Sequence, residues 1–257
     1  MNKWMLLIAS AIPLATSAKS LNRIDDYEDS YALGSYVDEI NKDTYVAGGF
    51  EDAEGLQQGE VKFQFSLAVP IMSINKSTSV MFAYTQKSLW QLGNGDISSP
   101  FRETNYKPQF FLMHQSNMLL FNSAEIGYMH ESNGQTASLS RGWDRIYGAL
   151  ERIDGSLQYG FRAWYVFDDE TPENDMTDYL GNYDVWVKLG NNIGQFDTRF
   201  HYNGNTNKGG IEAGYTLHLN QFVGLYFQVW KGYGETLIDY DYDQTRIGLG
   251  MKLIPPN

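Results

Sequence analysis

The chain has 257 residues, a formal net charge of −12, and 25 glycines, 18 tyrosines and 14 phenylalanines beside no cysteine at all. The acidic balance argues against a nucleic-acid partner, which needs a basic footprint. The lack of cysteine excludes a disulfide framework, a thiolate zinc site and a cysteine nucleophile, and it suits a chain that crosses an oxidising compartment unfolded.

Taken in order, the chain opens with Lys3, an apolar run over 4–14 broken by Pro13, and the small residues Ala15, Thr16, Ser17 and Ala18. That pattern predicts a cleaved signal peptide over 1–18, too short for a membrane-spanning helix. No later stretch reaches the roughly 18–20 continuous apolar residues of such a helix. Residues 19–43 are acidic, without sustained period, and read as a periplasmic N-terminal arm.

From residue 44 to 257 the chain reads as alternating segments divided by turn residues. Val61, Phe63, Phe65, Leu67 and Val69 alternate with Lys62, Gln64, Ser66 and Ala68, and Val80, Phe82 and Tyr84 with Met81, Ala83 and Thr85. The same period recurs through 157–167, 183–189, 194–203, 211–217, 223–229 and 245–253. Residues 44–50 and 107–116 are less clean but strand-like. Side chains two apart share a face. One face is apolar and aromatic, while the other carries Arg145, Glu151, Arg162, Asp184, Lys188, Arg199, Glu212, Arg246 and Lys252. With a signal peptide and strands of about ten residues, the charged face reads as a packed lumen. The expected fold is all-β: a single antiparallel transmembrane β-barrel of about twelve strands in the bacterial outer membrane.

The segment 127–147 carries the candidate chemistry. Ala124, Ile126, Tyr128, His130 and Ser132 share one strand face; Asp144, Ile146, Gly148 and Leu150 share one face of the next strand. A histidine, a hydroxyl and a carboxylate then meet at one hairpin, the composition of a hydrolytic triad. An even-stranded barrel begins and ends on the periplasmic side. With 44–50 as the first upward strand, the strand ending at Ser132 is the fifth and also runs up. The triad should therefore lie on the outer wall near the cell exterior, where a lipid substrate reaches it and a water-soluble one does not.

At these residues the chain resembles the outer membrane phospholipase A family. The resemblance rests on H-E-S-N-G at 130–134 and S-R-G-W-D-R-I-Y at 140–147, supported by Y-T-Q-K-S at 84–88, S-S-P-F-R-E-T-N-Y-K-P-Q-F at 98–110 and G-Y-G-E-T-L-I-D-Y at 232–240. It implies a calcium-dependent phospholipase A1/A2 and lysophospholipase acting on membrane phospholipid as a homodimer. By motif position Ser132 is the nucleophile, His130 the general base and the Gly134 N–H an oxyanion donor. Asp144 stands where the family has asparagine; a carboxylate there also stabilises the imidazolium. The implied calcium ligands are the Ser140 hydroxyl, the Gln135 carbonyl and the Ser98 carbonyl of a second subunit. Gln86 falls on an apolar outward face, where an unpaired amide is costly, and the family pattern puts the matching glutamine at the dimer interface.

Two rival readings are a non-enzymatic porin or structural barrel and a barrel hydrolase acting on lipopolysaccharide. Bulky lumen residues disfavour the first, since small barrels are filled by side chains. His201 and His218 have lumen parity and read as members of internal polar networks, while His114 has no assignable face. Asp239, Asp241 and Asp243 read as a solvated acidic loop. The chain ends Leu253-Ile254-Pro255-Pro256-Asn257, without the terminal aromatic of most outer-membrane barrels, and its prolines must lie beyond the last paired strand.

Overall fold

The computed structural model describes residues 26–50, 52–116 and 120–255; the expected signal peptide lies outside the described residues. Twelve strands follow one another: β1 (Tyr31–Val37), β2 (Gly59–Asn75), β3 (Thr78–Trp90), β4 (Phe101–Gln115), β5 (Ser123–Ser132), β6 (Gly142–Asp154), β7 (Leu157–Asp169), β8 (Tyr183–Gly190), β9 (Gly194–Asn203), β10 (Lys208–His218), β11 (Val223–Gly232) and β12 (Gln244–Leu253). Each pairs antiparallel with its neighbours, and β1 closes on β12 from Tyr31 opposite Lys252 to Val37 opposite Arg246. Closure leaves no unpaired edge, which a bilayer requires of any sheet that crosses it.

The barrel starts earlier than the sequence pattern implied. The segment 31–37, read as part of the N-terminal arm, is β1, with strict buried/exposed alternation. Residues 44–50 do not form a strand; helix α1 (Lys42–Ala47) covers most of them. The weak signal has a physical source: the outward face of β1 is Ala32, Gly34 and Tyr36, so little apolar side chain marks it. One strand replaces another in the count, so β5 keeps its expected direction.

The burial pattern is inverted relative to a water-soluble protein. Outward positions are large and apolar, with Tyr165 70% and Ile126 61% exposed. Inward positions mix apolar side chains such as Met81, Ala83 and Met113 with charged ones held in ion pairs. Arg102 lies 2.6 Å from Glu60 and 2.8 Å from Asp239; Arg246 lies 2.9 Å from Glu60 and 2.8 Å from Glu235, which Lys62 meets at 3.0 Å. Buried charges are costly unless paired, and this network pairs them. Asp239 is therefore fully buried in an ion pair and not part of a solvated loop, while Asp241 and Asp243 are exposed. His201 is buried on the lumen side and its Nε2 donates to the Tyr233 carbonyl at 3.0 Å. His114 is exposed on the outer wall beside Thr78.

Residues before β1 enter the lumen. Tyr27 donates to Glu125 at 2.7 Å, Glu28 accepts from Lys107 at 2.8 Å, and Asp29 takes Lys188 at 2.7 Å and Lys252 at 2.8 Å. They form a strap across the barrel at the end that carries the short turns, such as 155–156. The opposite end carries the longer loops 38–58, 91–100, 133–141, 170–182 and 233–243.

Candidate active site

The site is built on the β5–β6 hairpin at the long-loop end. Register sets it: His130 is directly opposite Asp144 and Ser132 opposite Gly142. Side chains facing each other across an antiparallel pair have Cβ atoms about 4.5–5.5 Å apart, so imidazole and carboxylate meet. A register shift between Asp144 and Arg145 against β7 marks a bulge, a device that re-aims side chains. Gly142 leaves space beside the serine: a Cβ there would lie 3.3 Å from Ser132 Cβ and 3.0 Å from Glu170 Oε2.

His130 bridges the other two groups. Its Nδ1 is 2.8 Å from Asp144 Oδ1 and its Nε2 is 2.9 Å from Ser132 Oγ. An ionised carboxylate only accepts, so Nδ1 carries the proton and Nε2 accepts from the serine hydroxyl. The His130 and Asp144 side chains are 31% and 17% exposed, on the outer wall and not in the lumen. Sequence parity had identified these three residues. It had not paired Tyr128 with them: the Tyr128 hydroxyl donates to Asp144 Oδ1 at 2.6 Å. The signal was present, since Tyr128 precedes His130 by two positions on the same face.

The loop 133–141 is held by a residue whose role was not read from the sequence. Asn133 is buried; its Oδ1 accepts from Gln135 N at 3.3 Å and Arg141 N at 3.0 Å, and its Nδ2 donates to the Leu139 carbonyl at 2.9 Å. Arg141 Nη1 donates to the Ser138 carbonyl at 2.7 Å and the Ser140 carbonyl at 2.8 Å. Gly134 has φ +64°, a left-handed conformation that glycine adopts without strain. Among the described residues its N–H has no acceptor.

Among the described residues no group of three or more His, Asp or Glu is arranged to hold a metal. A cation site in this loop would be made of neutral oxygens, and among the described residues no hydrogen bond uses the Ser140 hydroxyl or the Gln135 carbonyl. Two free hard oxygens on one ordered loop fit calcium completed by other oxygens and waters. Ser98, in the β3–β4 loop at the same end, is exposed with φ +62°, and no hydrogen bond joins it to Gln135 or Ser140 within one chain.

Gln86 lies on the outward face of β3 but is not unpaired: Tyr84 OH donates to its Oε1 at 2.9 Å, and its Nε2 donates to Ser88 Oγ at 3.3 Å. The Gln86 amide is therefore not orphaned as its outward position suggested, because its own strand partly satisfies it.

Comparison with known proteins agrees with this architecture. The family model described as Phospholipase A1 matches residues 12–253. Phospholipase A1 of Escherichia coli (strain K12) is 40% identical over 235 residues, covering 88% of this chain and 80% of that protein. Its counterpart from Proteus vulgaris is 38% identical over the same shares. The solved structure of outer membrane phospholipase A from Escherichia coli matches with TM-score 0.85 at 37% identity, covering 90% of this chain and 98% of that one. A Salmonella typhi outer membrane phospholipase, solved as a dimer with bound calcium, matches with TM-score 0.85 at 36% identity, covering 89% of this chain and 91% of that one. On barrel, outward hairpin and these matches together, the chain belongs to the phospholipase A1 family of bacterial outer-membrane ester hydrolases.

Proposed function

We propose that the chain is a calcium-dependent outer-membrane phospholipase that cleaves phospholipid acyl esters through Ser132, His130 and Asp144 and is active as a homodimer. The observation that carries the reading is His130, hydrogen-bonded at 2.9 Å to Ser132 and at 2.8 Å to Asp144 on the lipid-facing wall. A triad opening on the lumen would meet water-soluble esters; one opening outward meets the membrane.

In the forward step His130 Nε2 takes the hydroxyl proton as Ser132 Oγ attacks the acyl carbonyl, and Asp144 stabilises the imidazolium through Nδ1–H. The Gly134 N–H is the candidate donor to the developing oxyanion. His130 returns its proton to the glycerol oxygen as the ester bond breaks, leaving acyl-Ser132. A water deprotonated by His130 then releases the fatty acid and restores the serine.

The Ser140 hydroxyl, the Gln135 carbonyl and the Ser98 carbonyl of the partner subunit would hold the calcium ion. Held by these oxygens, calcium would supply positive charge that stabilises the developing oxyanion. A site drawn from two copies would make activity depend on dimerisation; a Salmonella typhi relative has been solved as a dimer with bound calcium. Gln86 is the proposed interface residue: in a dimer its amide exchanges the Tyr84 or Ser88 contact for the partner's amide. Residues 1–18 are proposed as a signal peptide removed on export.

The test is hydrolysis of a long-chain phospholipid in mixed micelles, titrated with calcium. Wild type should require the ion. Ser132→Ala should lose activity by roughly four orders of magnitude or more while keeping a heat-modifiable barrel. Calcium-dependent hydrolysis surviving in Ser132→Ala would remove the assignment.

A further inference from the structure

Asp144 occupies an unfavourable place for a carboxylate. It lies on the outer wall, where hydrocarbon is the neighbour, and its partner across the β6–β7 ladder is Asp168, also acidic. Like charges directly opposite repel. A second hydrogen bond to Asp144 offsets this. Tyr128 OH donates at 2.6 Å to Oδ1, the same oxygen that accepts the His130 Nδ1 proton at 2.8 Å. The Tyr128 ring packs against Phe167 of β7, centroids 6.1 Å apart, so two strands beyond its own position it. A hydrogen bond to a charged acceptor is about twice as strong as one between neutral groups.

We propose that Tyr128 is a positioning residue of the reaction, acting through Asp144: its hydroxyl pins the oxygen that orients His130 and keeps the carboxylate hydrogen-bonded in a wall otherwise facing lipid. This rests on the reading of Ser132, His130 and Asp144 as the catalytic set. The role follows from the carboxylate. A neutral asparagine at 144 would need no second donor to offset a charge.

The test is a double-mutant cycle on the full chain in detergent micelles with calcium and a soluble short-chain ester: wild type, Tyr128→Phe, Asp144→Asn and the double variant. With Asp144 present, Tyr128→Phe should lower kcat about tenfold, the worth of a hydrogen bond to a charged group, with KM within about twofold. With Asn at 144 the same change should cost less than about threefold. A residue that merely packs the wall would lower kcat equally in both backgrounds. Equal losses, or a Tyr128→Phe enzyme within twofold of wild-type kcat, overturn the proposal. Heat-modifiable mobility reports folding of each variant, and Tyr128→Leu repeats the cycle if the phenylalanine variant does not refold. Ser132→Ala in the same assay separates the failures. Residual hydrolysis in it removes the catalytic reading together with this proposal, whereas an inactive Ser132→Ala beside an unimpaired Tyr128→Phe removes only the role of Tyr128.

Discussion

Arg145 Nη2 donates to Glu131 Oε2 at 2.5 Å, one residue along each strand from His130 and Asp144 and on the other side of the barrel wall. Trp143 Nε1 donates to the same carboxylate oxygen at 3.1 Å, and the Arg145 guanidinium stacks 3.6 Å from the Trp143 ring centroid. The lumen side thus clamps the β5–β6 register that the outer side uses. Removing one partner of a buried pair leaves an uncompensated charge, which costs about 3–5 kcal/mol. Glu131→Ala should therefore lower the unfolding midpoint in urea and reduce kcat more than KM. An unchanged midpoint would show that the clamp does not hold the hairpin.

Asn133 performs the equivalent task for the loop. Its side chain serves the Gln135 and Arg141 amides and the Leu139 carbonyl, groups that otherwise lack partners in a tight turn. Asn133→Ala should raise the calcium concentration needed for half-maximal activity and open 133–141 to limited proteolysis. An intact loop with unaltered calcium response would mean that Arg141, through Ser138 and Ser140, suffices alone.

Glu235, in the loop between β11 and β12, titrates abnormally. Burial by itself would raise its carboxyl, but Arg246 and Lys62 hold it well below its ordinary value of 4.5. A depressed folded value means that its contribution is full above pH 4.5 and is lost as pH falls through the lower, folded value. Wild type should lose stability progressively below about pH 4.5. Glu235→Gln should be less stable at neutral pH and show a flatter acid limb, as measured by urea unfolding across pH.

Much of this was legible in the sequence because strand parity is a strict code. His130, Ser132 and Asp144 fell on one face by counting in twos, and Arg145 and Glu151 on the other. β1 escaped because Ala32, Gly34 and Tyr36 give its outer face almost no apolar contrast. The strap of Tyr27, Glu28 and Asp29 escaped because it has no period; its role comes from Lys107, Lys188 and Lys252, which only closure of the barrel brings near. Asp239 looked like a loop acid because its partner, Arg102, lies far away in sequence. Parity places Tyr128 on the face of His130 and Ser132 without its hydroxyl partner, since alternation gives a face but not the target of a hydroxyl.

The central claim is that Ser132 is an activated nucleophile on the lipid-facing wall. Its most direct test is treatment of the purified chain with a fluorophosphonate, followed by mass spectrometric mapping of the adduct. A single phosphonyl group on Ser132, lost in His130→Ala, is the predicted result. Labelling elsewhere with Ser132 unmodified, or a Ser132 adduct that forms as fast in His130→Ala, would contradict the account.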